Sequence, residues 1–160
     1  MRVKLYDNLR KKDIWGSISS AIKKELPKTK WKFDWRLLYA KNSKIFKLEY
    51  EEEIQGLLKM TQLDEGYYEM SNLELSPINY GTKGKTSNVA GCLIANGCLL
   101  TFQLNEGNYK GHLAFTSKGE LIPHYEKYYY AELVYREKMI IFPENGKKLI
   151  KKYLYLRYDK

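Results

Sequence analysis

Residues 79–88 read NYGTKGKTSN, and four of them, Gly81, Lys83, Gly84 and Lys85, are of the types that hold an anion. Glycine lets a main chain approach a ligand closely, and lysine brings positive charge. An apolar run beginning VAGCLIANG follows directly. Folded as a helix, that run begins with unpaired N–H groups and the positive end of a dipole, so glycine, lysine and helix start in this order point to phosphate. The other reactive types carry less. Cys92 and Cys98 lie in the apolar run, where a helix turns them to different faces. They are expected to be small core residues, with no disulfide between them and no nearby histidine to activate either. Nothing in the spacing of His112 and His124 links them as a catalytic pair, and no metal-ligand spacing occurs.

The elements that must position such a loop are read from period and punctuation. Segment 17–28, SISSAIKKELPK, places Ile18, Ile22 and Leu26 four apart and stops at Pro27, which predicts a short amphipathic helix. Segment 31–40, WKFDWRLLYA, alternates Trp31, Phe33 and Trp35 with Lys32 and Asp34 and predicts a strand. A turn at 41–44 leads to a strand beginning at Ile45 and Phe46, a turn at the three glutamates 51–53, and a strand from Ile54 to Leu63. Asp64-Glu65-Gly66 turns into YYEMSNLELSP (67–77), so the region is an antiparallel meander that ends at Pro77. Beyond the glycine-lysine loop, 87–105 is predicted helical and buried on more than one face. A strand at 112–117, a short helix within 120–133 broken near Pro123, a strand at 134–143 and a closing helix at 145–156 complete the order. The class is mixed α/β or α+β, and with no repeat or linker the expectation is one domain over 1–160.

Composition bounds the partners. The net charge of +9 favours an anion, whether nucleotide cofactor, nucleic acid or acidic surface, and does not choose among them. No apolar stretch is long enough to span a bilayer and the first residues lack a signal-peptide core, so the expectation is a cytoplasmic protein with no membrane partner.

Two patterns compete for the loop. Gly84-Lys85-Thr86 matches the end of the G-x-x-x-x-G-K-S/T phosphate loop, but Asn79 stands where the first glycine belongs. That motif also needs parallel βαβ units and a later strand ending in Asp, and hairpin-connected strands precede it here. The second pattern uses the whole arrangement: a strand ending LELSP, a basic loop, a buried helix, a strand, and a helix containing YEK. In that order the chain resembles the GNAT N-acetyltransferase superfamily over roughly residues 44 to 155. The superfamily's Q/R-x-x-G-x-G/A loop falls on 85–90, with Leu93 and Ile94 as the aliphatic pair that follows. Lysine replaces Gln/Arg at 85, and Asn88 replaces the first glycine, in a position where asparagine tolerates the left-handed backbone. The stretches IQGLLKM, LELSPINYG, VAGCLIANGC, GHLAFTSK and HYEK, with Met139 and a closing LIKKY, are similar to a bacterial subgroup of GNAT-like proteins of undefined substrate.

The resemblance implies a mostly antiparallel central sheet flanked by helices, and direct transfer of an acetyl group from acetyl-CoA to a primary amine without a metal. It implies that Lys83, Gly84, Lys85, Asn88, Val89, Ala90 and Gly91 face the pyrophosphate of acetyl-CoA, and that main-chain donors around Leu75 polarise the thioester carbonyl. Ser117 would meet the pantetheine arm. Tyr125 would protonate the departing thiolate, and Glu74 would take the proton of the incoming ammonium, for which it needs a raised pKa or a relaying water. Tyr128, Tyr129 and Tyr130 fill the place of the glycine and aromatic that follow YEK in the superfamily. A different class of function stays open. Trp31, Phe33 and Trp35, interleaved with Lys30, Lys32 and Arg36, would form a stacking platform for nucleic acid, or else one face of a core. A basic acetyltransferase acting on an aminoacyl-tRNA or another nucleic-acid-bound amine combines the two, and a degenerate GNAT-like scaffold that binds CoA or nothing is the third. The acceptor is unassigned, and the chain is a monomer or homodimer.

Overall fold

A computed structural model describes residues 1–81 and 83–155. Six strands form the larger sheet: β1 (Arg2–Asp7), β2 (Lys12–Ser20), β3 (Ser43–Tyr50), β4 (Glu53–Gln62), β5 (Tyr68–Leu75) and the two-residue β6 (Thr86–Ser87). They lie in the order β5-β4-β3-β2-β1-β6. Every pairing in this sheet is antiparallel. Helix α1 (Val89–Leu104) crosses it, followed by β7 (Leu113–Thr116), α2 (Ile122–Tyr129), β8 (Glu132–Tyr135), β9 (Lys138–Ile141) and α3 (Pro143–Leu149). Strands β7, β9 and β8 make a second antiparallel sheet in that order, and a π turn over Ile150–Leu154 extends α3. The mixed class and the largely antiparallel sheet expected from the sequence are both present, and the meander at 43–75 falls where turn chemistry placed it.

Helix α1 is the centre of the core. Its buried residues, among them Val89, Cys92, Leu93, Ala95, Leu99 and Phe102, go all the way round. The sheet covers one side, and α3 with its π turn covers the other. Two glycines allow these close approaches. A Cβ on Gly91 would lie 2.3 Å from the Tyr153 ring, and one on Gly56 of β4 would lie 2.7 Å from the Val89 side chain. Gly91→Ala is therefore expected to cost about 1–3 kcal/mol by overpacking. Combined with Tyr153→Ala it should cost less than the two single losses added, which chemical denaturation of the four proteins measures. Both cysteines are free and buried, and burial pushes each thiol up to about 12, so neither is a nucleophile at neutral pH.

A second, smaller core lies on the opposite face of β3 and β4, where Ala21, Leu26, Trp35, Ile45 and Leu57 meet. Two expectations fail here. Residues 17–20 continue β2, and only Lys23–Glu25 turn, as a single 3-10 turn. A spacing of four is twice the strand period, and Ile14, Gly16 and Ile18 point inward together along β2. Segment 31–40 is a series of turns and contains no strand. Its alternating aromatics diverge: Trp35 is fully buried, Phe33 packs edge-on against it at 6.2 Å, and Trp31 is half-buried. No flat stacking platform results. Two smaller differences follow from local chemistry. Pro123 opens α2, where its missing N–H has no partner to lose, instead of breaking it. Segment 134–143 holds a hairpin, because Arg136 adopts φ 50° between β8 and β9. The closing helix begins at Pro143 and changes to π geometry at Ile150, and the expected end at 156 lies outside the described residues.

Candidate active site

Strand β5 is the edge of the large sheet and β7 is the edge of the small one. The two run side by side without a ladder between them. At the start of β5, Asn105, directly after α1, accepts the Tyr68 N–H on its Oδ1 at 2.7 Å. At the other end the strands part into a cleft of about 660 Å³ lined by Leu73 to Leu75, Phe115 to Lys118, Tyr125 and the turn at 30–33. The main chain of β5 serves this cleft. The Ser76 N–H donates to Gln55 O at 2.9 Å, on the β4 side. Alternation along an antiparallel strand then turns the Leu75 N–H the other way, into the cleft.

Glu74, Leu75, Ser117 and Tyr125, expected from sequence to act together, all line this cleft. Tyr125 is half-buried on α2, with its ring 4.9 Å from that of Phe115. Burial holds its phenol above the usual tyrosine value, so the hydroxyl keeps its proton and can donate it. The Ser117 N–H donates to Glu137 O at 2.9 Å, and its hydroxyl donates to Lys118 O at 2.9 Å. The end of β7 is fixed by these two bonds.

Glu74 does something the sequence does not show. Its buried carboxylate accepts the Lys32 N–H at 2.6 Å, the Phe33 N–H at 3.0 Å, the Trp35 indole N–H at 2.9 Å and the Tyr80 hydroxyl at 2.8 Å. Burial alone would push its pKa up. Donation from Phe33 and Lys32, then from Trp35 and Tyr80, outweighs burial and holds the carboxyl below its ordinary value. The raised pKa expected of a base is thus absent, and its lone pairs are engaged in folding segment 31–35 over the cleft. That engagement is also why the aromatics of this segment form no strand: two of its N–H groups bind a carboxylate instead of a neighbouring chain. Burial, then the Glu74 carboxylate, push the Tyr80 hydroxyl up to about 12.

The glycine-lysine loop lies apart from the residues lining the cleft, except at Tyr80 and Gly81. The expectation that its main-chain donors stand ready for an anion meets a zipped segment. The Gly84 N–H donates to Gly81 O at 3.3 Å, the Lys85 N–H to Ile78 O at 3.0 Å, and the Thr86 N–H to Asn79 Oδ1 at 2.9 Å. Asn8 donates its side-chain amide to Gly84 O at 2.7 Å, and β6 pairs with β1. A Cβ on Gly84 would meet the Asn79 main chain at 2.7 Å, which accounts for that glycine by packing. What the loop leaves for an anion is the start of α1. Asn88 has φ 75°, the left-handed backbone expected of it, and no side chain caps the helix. Val89, Ala90 and Gly91 form the first turn, where intrahelical acceptors are lacking, with Gly91 under the Tyr153 ring. The Lys83 and Lys85 side chains are exposed. The other half of this zipper, β1 with Asn8, carries no motif that the sequence alone would reveal.

His112 packs edge-on against Phe142, and His124 lies among the Tyr125, Tyr128 and Tyr129 rings. No group of potential metal ligands occurs, and no helix is long and apolar enough to cross a membrane, among the described residues.

The sequence matches no family model and no curated protein. The structure is similar to a GNAT family acetyltransferase from Elizabethkingia anophelis solved with acetyl-CoA bound, at 14% identity and a TM-score of 0.51. The match covers 78% of this chain and 94% of that one. Meander, central helix, parted strands and following helix are in the order the motifs implied, and the fold of this chain is GNAT-like.

Proposed function

We propose that the chain is an acetyl-CoA-dependent acyltransferase that passes the acetyl group directly to a primary amine. The observation that carries this reading is the cleft between the unpaired edges of β5 and β7, with Tyr125 above it and the Leu75 N–H turned into it. These residues fit the thioester end of acetyl-CoA, which would supply an activated acyl group and a thiol leaving group. Leu75 offers a main-chain donor to a carbonyl oxygen as negative charge develops there, where a fixed dipole needs no reorganisation. Tyr125 supplies a proton from a hydroxyl kept neutral by burial. Glu74 positions the 31–35 wall through its four donors and leaves deprotonation of the acceptor ammonium to water in the cleft. The start of α1, with Lys83 and Lys85, is the part of the chain suited to the diphosphate.

Calorimetric titration with acetyl-CoA tests the proposal. Micromolar binding is expected, with Lys85→Ala weakening it about three- to tenfold at low salt without changing the melting temperature. A second reading, a GNAT-like scaffold without catalysis, is favoured by the hydrogen bonds already made by Gly84, Lys85 and Thr86. Absence of acetyl-CoA binding would select it.

A further inference from the structure

The mouth of the cleft gathers three lysines. Lys30 and Lys32 stand on the turn that forms one wall, and Lys118 follows β7 on the other. None of the three makes an ion pair among the described residues. Two of them are tied through the main chain. Glu74 holds the Lys32 N–H, and the Ser117 hydroxyl bonds the Lys118 carbonyl. Contact with Lys118, and the charge it carries, hold Lys32 below the usual lysine value. Glu74 and Glu120 are the acids that act on Lys32 in the opposite direction. Glu74 is already engaged by four donors, and Glu120 forms no ion pair with either lysine among the described residues.

Lys32 and Lys118 line the same cleft, where their ammonium groups repel each other and an anion between them would offset that repulsion. We propose that the acceptor carries a carboxylate or phosphate beside its reacting amine, and that Lys32 and Lys118 hold that group at the mouth of the cleft. The proposal rests on the acyltransfer reading and narrows its acceptor to an anionic amine. A cationic amine without such a group would be repelled by the same lysines.

The test uses the full chain saturated with CoA and two matched pairs of amines. These are phosphoethanolamine against ethanolamine, and L-lysine against 1,5-diaminopentane, with binding read by calorimetry. At least one anionic member is expected to bind about tenfold more tightly than its partner, the effect of one charge-assisted hydrogen bond. A margin in the first pair identifies a phosphate, and one in the second a carboxylate. Lys118→Gln and Lys32→Gln should each remove most of that margin while leaving CoA affinity unchanged. Equal binding within both pairs, no binding by either anionic member, or a margin that survives both substitutions overturns the proposal. Loss of CoA affinity in these variants also overturns it, because the lysines would then hold the phosphates of the donor. In that case the acyltransfer reading stands. Failure of the unaltered protein to bind CoA instead defeats the acyltransfer reading, and the anionic acceptor with it.

Discussion

Glu74→Gln is expected to destabilise the protein by about 3 kcal/mol, the cost of leaving several buried donors without their charged acceptor. The glutamine amide has one oxygen and an NH2 group where the carboxylate has two oxygens. It cannot serve the Lys32 and Phe33 N–H groups, the Trp35 indole and the Tyr80 hydroxyl together. Because the Trp35 side chain is also the centre of the smaller core, the loss should include part of the packing of Leu26 and Leu57. Chemical denaturation at neutral pH measures the effect, and a loss below about 0.5 kcal/mol, the range of ordinary surface substitutions, would contradict the anchoring role. The pH dependence has a definite sign. The folded carboxyl is held below its ordinary value of 4.5, so its stabilisation is fully present above that pH. It is lost as pH falls through the lower folded value, and the gap between the original protein and Glu74→Gln should narrow there. A free general base with a raised pKa would instead lose its charge above pH 4.5.

Tyr125→Phe is expected to lower kcat by about a hundredfold, the usual effect of removing a positioned proton donor. The hydroxyl makes no hydrogen bond among the described residues, and the ring packs on Phe115 and Tyr129 through contacts that phenylalanine keeps. Folding stability and acetyl-CoA affinity should therefore change little. The readout is free thiol released from acetyl-CoA in the presence of a saturating amine. Burial raises the phenol above its ordinary value of 10.0, so donation should persist through the alkaline range and produce no falling limb below pH 10. Equal kcat in the two proteins would remove Tyr125 from the chemistry and leave it as a wall of the cleft.

The parts of this account legible in the sequence are those governed by local rules. Period two and turn residues gave strands β3 to β5, and an apolar run with no polar face gave α1 and its burial. The left-handed backbone at Asn88 was readable because few residue types tolerate it. The parts that escaped depend on partners far away in the chain. Glu74 reads as one more surface carboxylate on a strand until residues 32, 33, 35 and 80 close around it. The glycine-lysine loop reads as an open cradle until Asn8, 76 residues from Gly84, zips it to β1. In segment 17–20, inward residues four apart satisfy both a helix and a strand, and only its neighbours β1 and β3 decide. Of the candidate site, the order of motifs points to the cleft group of Glu74, Leu75, Ser117 and Tyr125, while Lys30 and Lys32 read as the basic part of an aromatic platform and Lys118 as no more than part of the net charge.

The most direct test of the central claim, that the parted strands receive the acyl donor, is amide hydrogen exchange with and without acetyl-CoA. The account predicts that acetyl-CoA slows exchange along the β5 edge at Leu73 and Leu75 and at the start of α1, while β1 to β3 are unchanged. Binding that leaves both strand edges exchanging as before, or no binding at all, would contradict it.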